Sequence, residues 1–150
     1  MTDPILARLT ELGFALPAPM QAPSGVVLPF AWVRLDGDRA YVSGHGPTNA
    51  DGTLARPLGK VGRELALTEG YDAARSTALA MLGSLHRALG SLDRVDAWLR
   101  VFGMVNCAPG FDHTPAVING FSDLVLALYG PERGRHARSA VGMAELPFGI

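Results

Sequence analysis

Arg138 is the residue of this sequence whose type and setting best suit it to gripping a small anion. It stands in Gly134-Arg135-His136-Ala137-Arg138-Ser139-Ala140-Val141, where small neighbours leave room beside a guanidinium. Held at the start of a strand, that group matches a carboxylate through two parallel hydrogen bonds. A surface arginine paired with a glutamate has the same local sequence, and periodicity alone favours it. Ser43-Gly44-His45-Gly46-Pro47 is the second candidate. Glycines alternating with polar residues after a strand let backbone N–H groups approach a ligand closely. His45 between two glycines can carry a proton near neutrality, or simply bond a nearby carbonyl. Asn119, one turn into a helix, can orient a polar ligand or face solvent. Glu64, in the polar approach Gly62 to Thr68, is a bound carboxylate or a solvated one.

Other chemistries find no support. His45, His86, His113 and His136 include no pair at three- or four-residue spacing, so no metal site is expected. Lys60 in Gly59-Lys60-Val61-Gly62 lacks the spaced glycine and following Ser/Thr of a phosphate loop. Cys107 has no evident base and reads as a small buried hydrophobe.

The elements that must position these residues are readable in outline. Asp3-Pro4 opens a short helix with Ile5, Leu6, Leu9 and Leu12 on one face, and Gly13 ends it. Residues 16–25 carry Pro17, Pro19 and Pro23 and read as an extended linker. Residues 25–35 and 39–43 form two strands around Asp36-Gly37-Asp38, a strong hairpin signal. A long glycine-rich loop follows, from Gly44 to Gly62, of the kind that binds something or packs at an interface. The helix predicted over 68–89 is capped by Thr68 and stopped by Gly90. From Val95 to Asn106 the pattern alternates, with Val95, Ala97, Leu99, Val101 and Val105 toward the core. Arg94, Asp96, Trp98, Arg100, Phe102, Met104 and Asn106 take the other face, which suits a subunit interface. Thr114-Pro115 starts a second long helix that ends near Gly130, and 138–146 is the last strand. The order, a short helix then β-β-α-β-α-β, predicts an α+β domain with two helices on one face of a sheet.

The chain has 150 residues, 13 Lys and Arg against 14 Asp and Glu, and a formal net charge of −1. That length supports one domain over 1–150, with 1–20 as an N-terminal helix and linker extension. The charge balance argues against wrapping nucleic acid. A single cysteine cannot form an internal disulfide, so a reducing, cytoplasmic setting is expected. With no apolar run of about 18 residues and no basic-then-apolar leader, neither membrane nor export is expected.

Taken together, four stretches carry a resemblance. Tyr41-Val42-Ser43-Gly44-His45-Gly46-Pro47, Gly90-Ser91-Leu92-Asp93-Arg94-Val95, Asn119, and Ala137-Arg138-Ser139-Ala140-Val141 running into Ala144-Glu145-Leu146-Pro147 are similar to the Rid (YjgF-like) family. These are imine and enamine deaminases formerly labelled endoribonuclease L-PSP, and the resemblance spans roughly residues 22–147, in a divergent branch. It implies a chorismate-mutase-like fold, a homotrimer with clefts between subunits, and no metal or organic cofactor. It also implies hydrolysis of small 2-imino or 2-enamino acids to 2-oxo acid and ammonia, the alternative being a non-catalytic trimer that binds a carboxylate metabolite. Carried over, Arg138 is the carboxylate clamp, and Ser43, Gly44 and Ala140 frame the substrate. Asn119 supports the site, and Phe30 matches a position often held by tyrosine. Ala140 stands where many members have cysteine. The family pattern places a glutamate that orients water in a strand after Leu146-Pro147, past Ile150; either the chain is shortened, or another group such as His45 or Glu64 does that work.

Overall fold

A computed structural model describes residues 2–150. Helix α1 spans Pro4–Glu11, strands β1 and β2 span Val33–Asp36 and Arg39–Val42, and helix α2 spans Leu67–Leu89. After a single turn at Leu92–Arg94 come β3 (Arg100–Asn106), α3 (Thr114–Gly134) and β4 (Ala137–Met143), then a short turn at Pro147–Gly149. Among the described residues no helix is long and apolar enough to cross a membrane.

The α+β order and the two long helices follow the expectation, but the strands form two pairs, not one ladder. β1 and β2 are antiparallel, with Asp36 opposite Arg39, so Gly37-Asp38 is a two-residue turn and Gly37 takes φ +57°. Glycine fits the first central position of such a turn, where other residues are strained. β3 and β4 run parallel, with Val101 opposite Arg138 and Gly103 opposite Ala140. Between β2 and β3 lies a channel of about 1110 Å³, lined by residues 40–46 and 99–106 and, at one end, by Val61, Leu65, Leu146 and Ile150.

Several boundaries move for local reasons. β1 begins at Val33 and not near Gly25, because the prolines and Gly25 keep 25–32 out of the ladder. Thr68 does not cap α2. The Glu69 carboxylate accepts the Ala66 N–H at 2.7 Å instead, which puts Thr68 inside the first turn. The break expected near Gly130 is present, at φ +71°, and Pro131 begins a last turn.

The largest correction concerns residues 95–99. They do not extend β3, because Arg133 Nη2 donates to Val95 O at 2.7 Å and Trp98 N–H donates to Arg133 O at 2.8 Å. That clamp reverses the alternation: Leu99 is 68% exposed, whereas Trp98 is buried against Phe121 and Tyr129, with ring centroids 5.9 Å apart in both pairs. Asn106 is buried as well. Arg100, Phe102 and Met104 do face outward, and Ser139 and Val141 of β4 lie beside the last two of them.

Helices α2 and α3 bury Ala78, Leu82, Leu85, Phe121, Leu124, Val125 and Leu128 in one core cluster with Ile5 and Leu9 of α1. α1 is tied to that core by Asp3. Its Oδ1 accepts N–H from Ile5 and Leu6, and its Oδ2 accepts from Ser91 Oγ at 2.9 Å and Leu92 N at 2.6 Å. Burial pushes the Asp3 carboxyl up, but these donors, led by Leu6 and Leu92, hold it below its ordinary value. Asp3→Ala removes a cap and orphans the Leu92 N–H, a loss of about 2 kcal/mol. Thermal unfolding should show it as a midpoint drop of roughly 4–8 °C.

Candidate functional site

Arg138 leaves β4 toward α3, and three groups one turn apart on that helix receive it. Nη1 donates to Asn119 Oδ1 at 2.9 Å and to Ser122 Oγ at 3.1 Å; Nη2 reaches Pro115 O at 3.4 Å. Asn119 and Ser122 follow helical spacing and share one face, and the main-chain carbonyl of Pro115, one turn earlier, lies in line with them. A guanidinium has five N–H donors in a plane. The two on Nη1 and one on Nη2 are directed into the helix, and among the described residues Nε–H has no partner. The Nε/Nη2 edge is the side a carboxylate can take with two bonds. In the same strand Ala140 accepts from Thr114 Oγ1 through its carbonyl at 3.1 Å.

Ser43, Gly44 and His45 lie elsewhere in the chain, on the wall of the β2–β3 channel, and Arg138, Asn119 and Ala140 are not among its walls. Ser43 is anchored to the preceding segment: its N–H donates to Trp32 O and its hydroxyl to Ala31 O. His45 has both ring nitrogens in use. Ser43 O can only accept, so in the neutral ring Nε2 carries the lone pair and takes the proton of Ser84 Oγ at 2.8 Å, whose oxygen also accepts from Arg87 Nη2 at 3.1 Å. The ring proton is on Nδ1 and donates to Ser43 O at 2.7 Å. Burial, and secondarily the Arg87 charge, lower the His45 pKa from its ordinary value of 6.5, against the Ser43 carbonyl that raises it.

A histidine held neutral in the fold takes up a proton more readily when unfolded. The stability it contributes is complete above 6.5 and is lost as pH falls toward the lowered folded value. Melting curves of wild type should therefore slide down as pH drops below 6.5, and His45→Gln should flatten that portion. An equal slope in both proteins would contradict the assignment.

Glu64 and Phe30 sit apart from Arg138. The Glu64 carboxylate accepts the Lys60 N–H at 2.8 Å and the Arg63 Nε–H at 2.6 Å, which hold its pKa below the ordinary range. Phe30 packs edge-on against Trp32 at 5.2 Å, and Trp32 leans on His45 at 4.9 Å. Lys60, set aside as a phosphate ligand, is largely buried. Its ammonium donates to Asn106 Oδ1 at 2.7 Å and Ala144 O at 2.5 Å, joining the long loop to the ends of β3 and β4. One chain thus holds two separate groups of candidate residues: Arg138 with Asn119, and Ser43-Gly44 with His45. Sequence reading singled out the arginine and the amide but not Ser122, which accepts from Arg138, nor Ser84, which accepts from Arg87 three residues on along its own helix.

A family model described as "YjgF/chorismate_mutase-like, putative endoribonuclease" matches residues 7–148. The chain belongs to the YjgF family. Membership supports a small-molecule-binding or endoribonuclease-like role. Protein TCP17 of Trypanosoma cruzi is 41% identical over 145 residues, covering 97% of this chain and 87% of that protein. Two YjgF-like crystal structures superpose with a TM-score of 0.84 and cover 97% of this chain. One is protein Atu1372 of Agrobacterium tumefaciens, described as of unknown function, at 37% identity and 85% of its length. The other, from Shewanella oneidensis and titled a "putative endoribonuclease", is 30% identical over 91% of its length.

Proposed function

We propose that this YjgF-family protein hydrolyses small, reactive 2-imino or 2-enamino acids, releasing a 2-oxo acid and ammonia. The observation that carries the reading is the Arg138 fork: one edge is fixed by Asn119 and Ser122, and the other is left for a carboxylate. An imine carbon is already electrophilic, so the protein's part is chiefly to fix the acid group and admit water to that carbon. Water adds across C=N to give a carbinolamine, which expels ammonia as the C=O forms. An enamine first takes a proton on carbon to become the imine.

The reading includes a homotrimer. Arg138 and Ser43-Gly44 occupy different parts of one chain, and a neighbouring copy would supply the missing wall. The outward face of β3 and β4, with Phe102 53% exposed beside Met104 and Val141, is apolar enough to seek cover.

A second reading is a non-catalytic trimer that binds a carboxylate metabolite. It is favoured by His45 and Glu64, whose ring nitrogens and carboxylate oxygens are spent inside the chain. Cleavage of RNA ranks last, given a net charge of −1 and scattered arginines.

The deciding assay generates 2-aminoacrylate or a branched imino acid with an amino-acid oxidase and follows semicarbazone formation. Faster imine loss with the protein present supports the deaminase. No acceleration alongside binding of a 2-oxo acid transfers the case to the metabolite binder. Light scattering at one chain mass would overturn the trimer.

A further inference from the structure

Behind Arg138 stands a pair of side chains that the proposed reaction does not itself employ. Ser122 Oγ accepts from Arg138 Nη1 at 3.1 Å and lies 2.9 Å from His136 Nε2. The hydroxyl has a single proton. Gly134 O, 2.7 Å from His136 Nδ1, can only accept, so the proton of the neutral ring sits on Nδ1 and the lone pair on Nε2 takes the Ser122 hydroxyl proton. The donors run in one direction, from Arg138 through Ser122 and His136 to the backbone of Gly134. Ser122 is buried, so its hydroxyl has no ready exchange with water.

We propose that His136 and Ser122 are positioning residues for the Arg138 fork, and that the ring's lone pair fixes the guanidinium plane by fixing the hydroxyl. The inference rests on the Arg138 reading above and adds to it a cause for the fork's orientation. Ser122 offers Arg138 a lone pair in a set direction only while its own proton has an acceptor. Without that acceptor the hydroxyl rotates, and Nη1 keeps Asn119 as its sole strong partner. The free Nε/Nη2 edge then swings, and a substrate carboxylate must order the guanidinium at its own expense. The cost falls on binding of the acid group and not on addition of water to the C=N carbon. Position explains why one ring can do this: His136 immediately precedes β4 and lies two residues before Arg138, and both side chains reach Ser122.

The test uses the full chain with His136→Leu, His136→Gln and Ser122→Ala. It reads the Arg138 Nε–H resonance by ¹⁵N NMR, together with steady-state kinetics on an imino acid. His136→Leu and Ser122→Ala should raise KM about 5–10-fold while kcat stays within about twofold. Both should speed solvent exchange of the Arg138 Nε–H about tenfold over wild type, because the fork is looser. His136→Gln keeps an acceptor and should recover most of the wild-type KM. An unchanged Arg138 signal in folded His136→Leu would overturn the proposal, as would equal losses in KM and kcat. If His136→Leu fails to fold, Ser122→Ala and His136→Gln decide it by the same readouts. If wild type neither consumes imine nor binds a 2-oxo acid, the deaminase reading fails, and the NMR comparison still judges the positioning pair.

Discussion

Arg138→Ala is expected to lower kcat/KM for a 2-imino carboxylate by about 10²–10³-fold, the value of two charge-assisted hydrogen bonds. The loss should be specific. A neutral imine makes no use of the fork, so its turnover should change by less than about threefold. Arg138→Lys should recover little, because an ammonium is a point charge and cannot present two parallel donors. In the wild-type protein the guanidinium is already tied to Asn119 and Ser122, so its orientation does not have to be created on binding. An alanine variant that still turns over the carboxylate substrate at wild-type rate would remove this arginine from the mechanism.

Gly120→Ala should be among the most damaging single-methyl changes in the molecule. A Cβ at that position would collide with the Tyr71 carbonyl oxygen of α2 and stand 2.9 Å from Tyr71 C and 3.2 Å from Arg75 N. These are backbone atoms of a packed helix, so no side chain can rotate away. The helices must separate, at a cost of at least about 3 kcal/mol. That is a thermal midpoint roughly 6–12 °C lower for a domain this size. Gly110→Ala is the control. Its φ of +83° carries strain but nothing lies within 4 Å of the added carbon, so the expected cost is about 1 kcal/mol. The separation also reaches the site, since Asn119 adjoins Gly120 and Ser122 lies half a turn on. Gly120→Ala should therefore weaken carboxylate binding as well as folding. A midpoint within 2 °C of wild type, roughly the assay scatter, would refute the close approach.

Much of the frame was legible because local chemistry specified it. Asp3 before Pro4, Gly37 in its turn, Gly90 after Leu89 and Thr114 before Pro115 each mark a boundary that backbone geometry enforces. Arg138 and Asn119 could be singled out for similar reasons, one from its strand setting and the other from its place near a helix start. Their mutual contact could not, because it depends on how α3 lies over β4. Trp98 shows the limit most sharply. Alternation assigned it outward, and only the hydrogen bonds from Arg133, some 35 positions along the chain, turn the backbone so that the indole faces Phe121. The parallel pairing of β3 with β4 is likewise long-range, as is the gap between the two strand pairs. His45 was legible as a titratable residue, but its partners Ser84 and Arg87 come from α2.

That gap has a consequence for how the molecule behaves in concentrated solution. Among the described residues β2 has a ladder only with β1, and β3 only with β4, apart from the single link from Val61 near the end of β3. Each strand therefore turns a rim of backbone donors and acceptors toward the other across open space. Such unpaired rims offer an extended segment a row of backbone partners, as any strand edge does. Amides on those rims should trade deuterium far sooner than those in the interior of α3, and peptides of alternating apolar and polar residues should slow them.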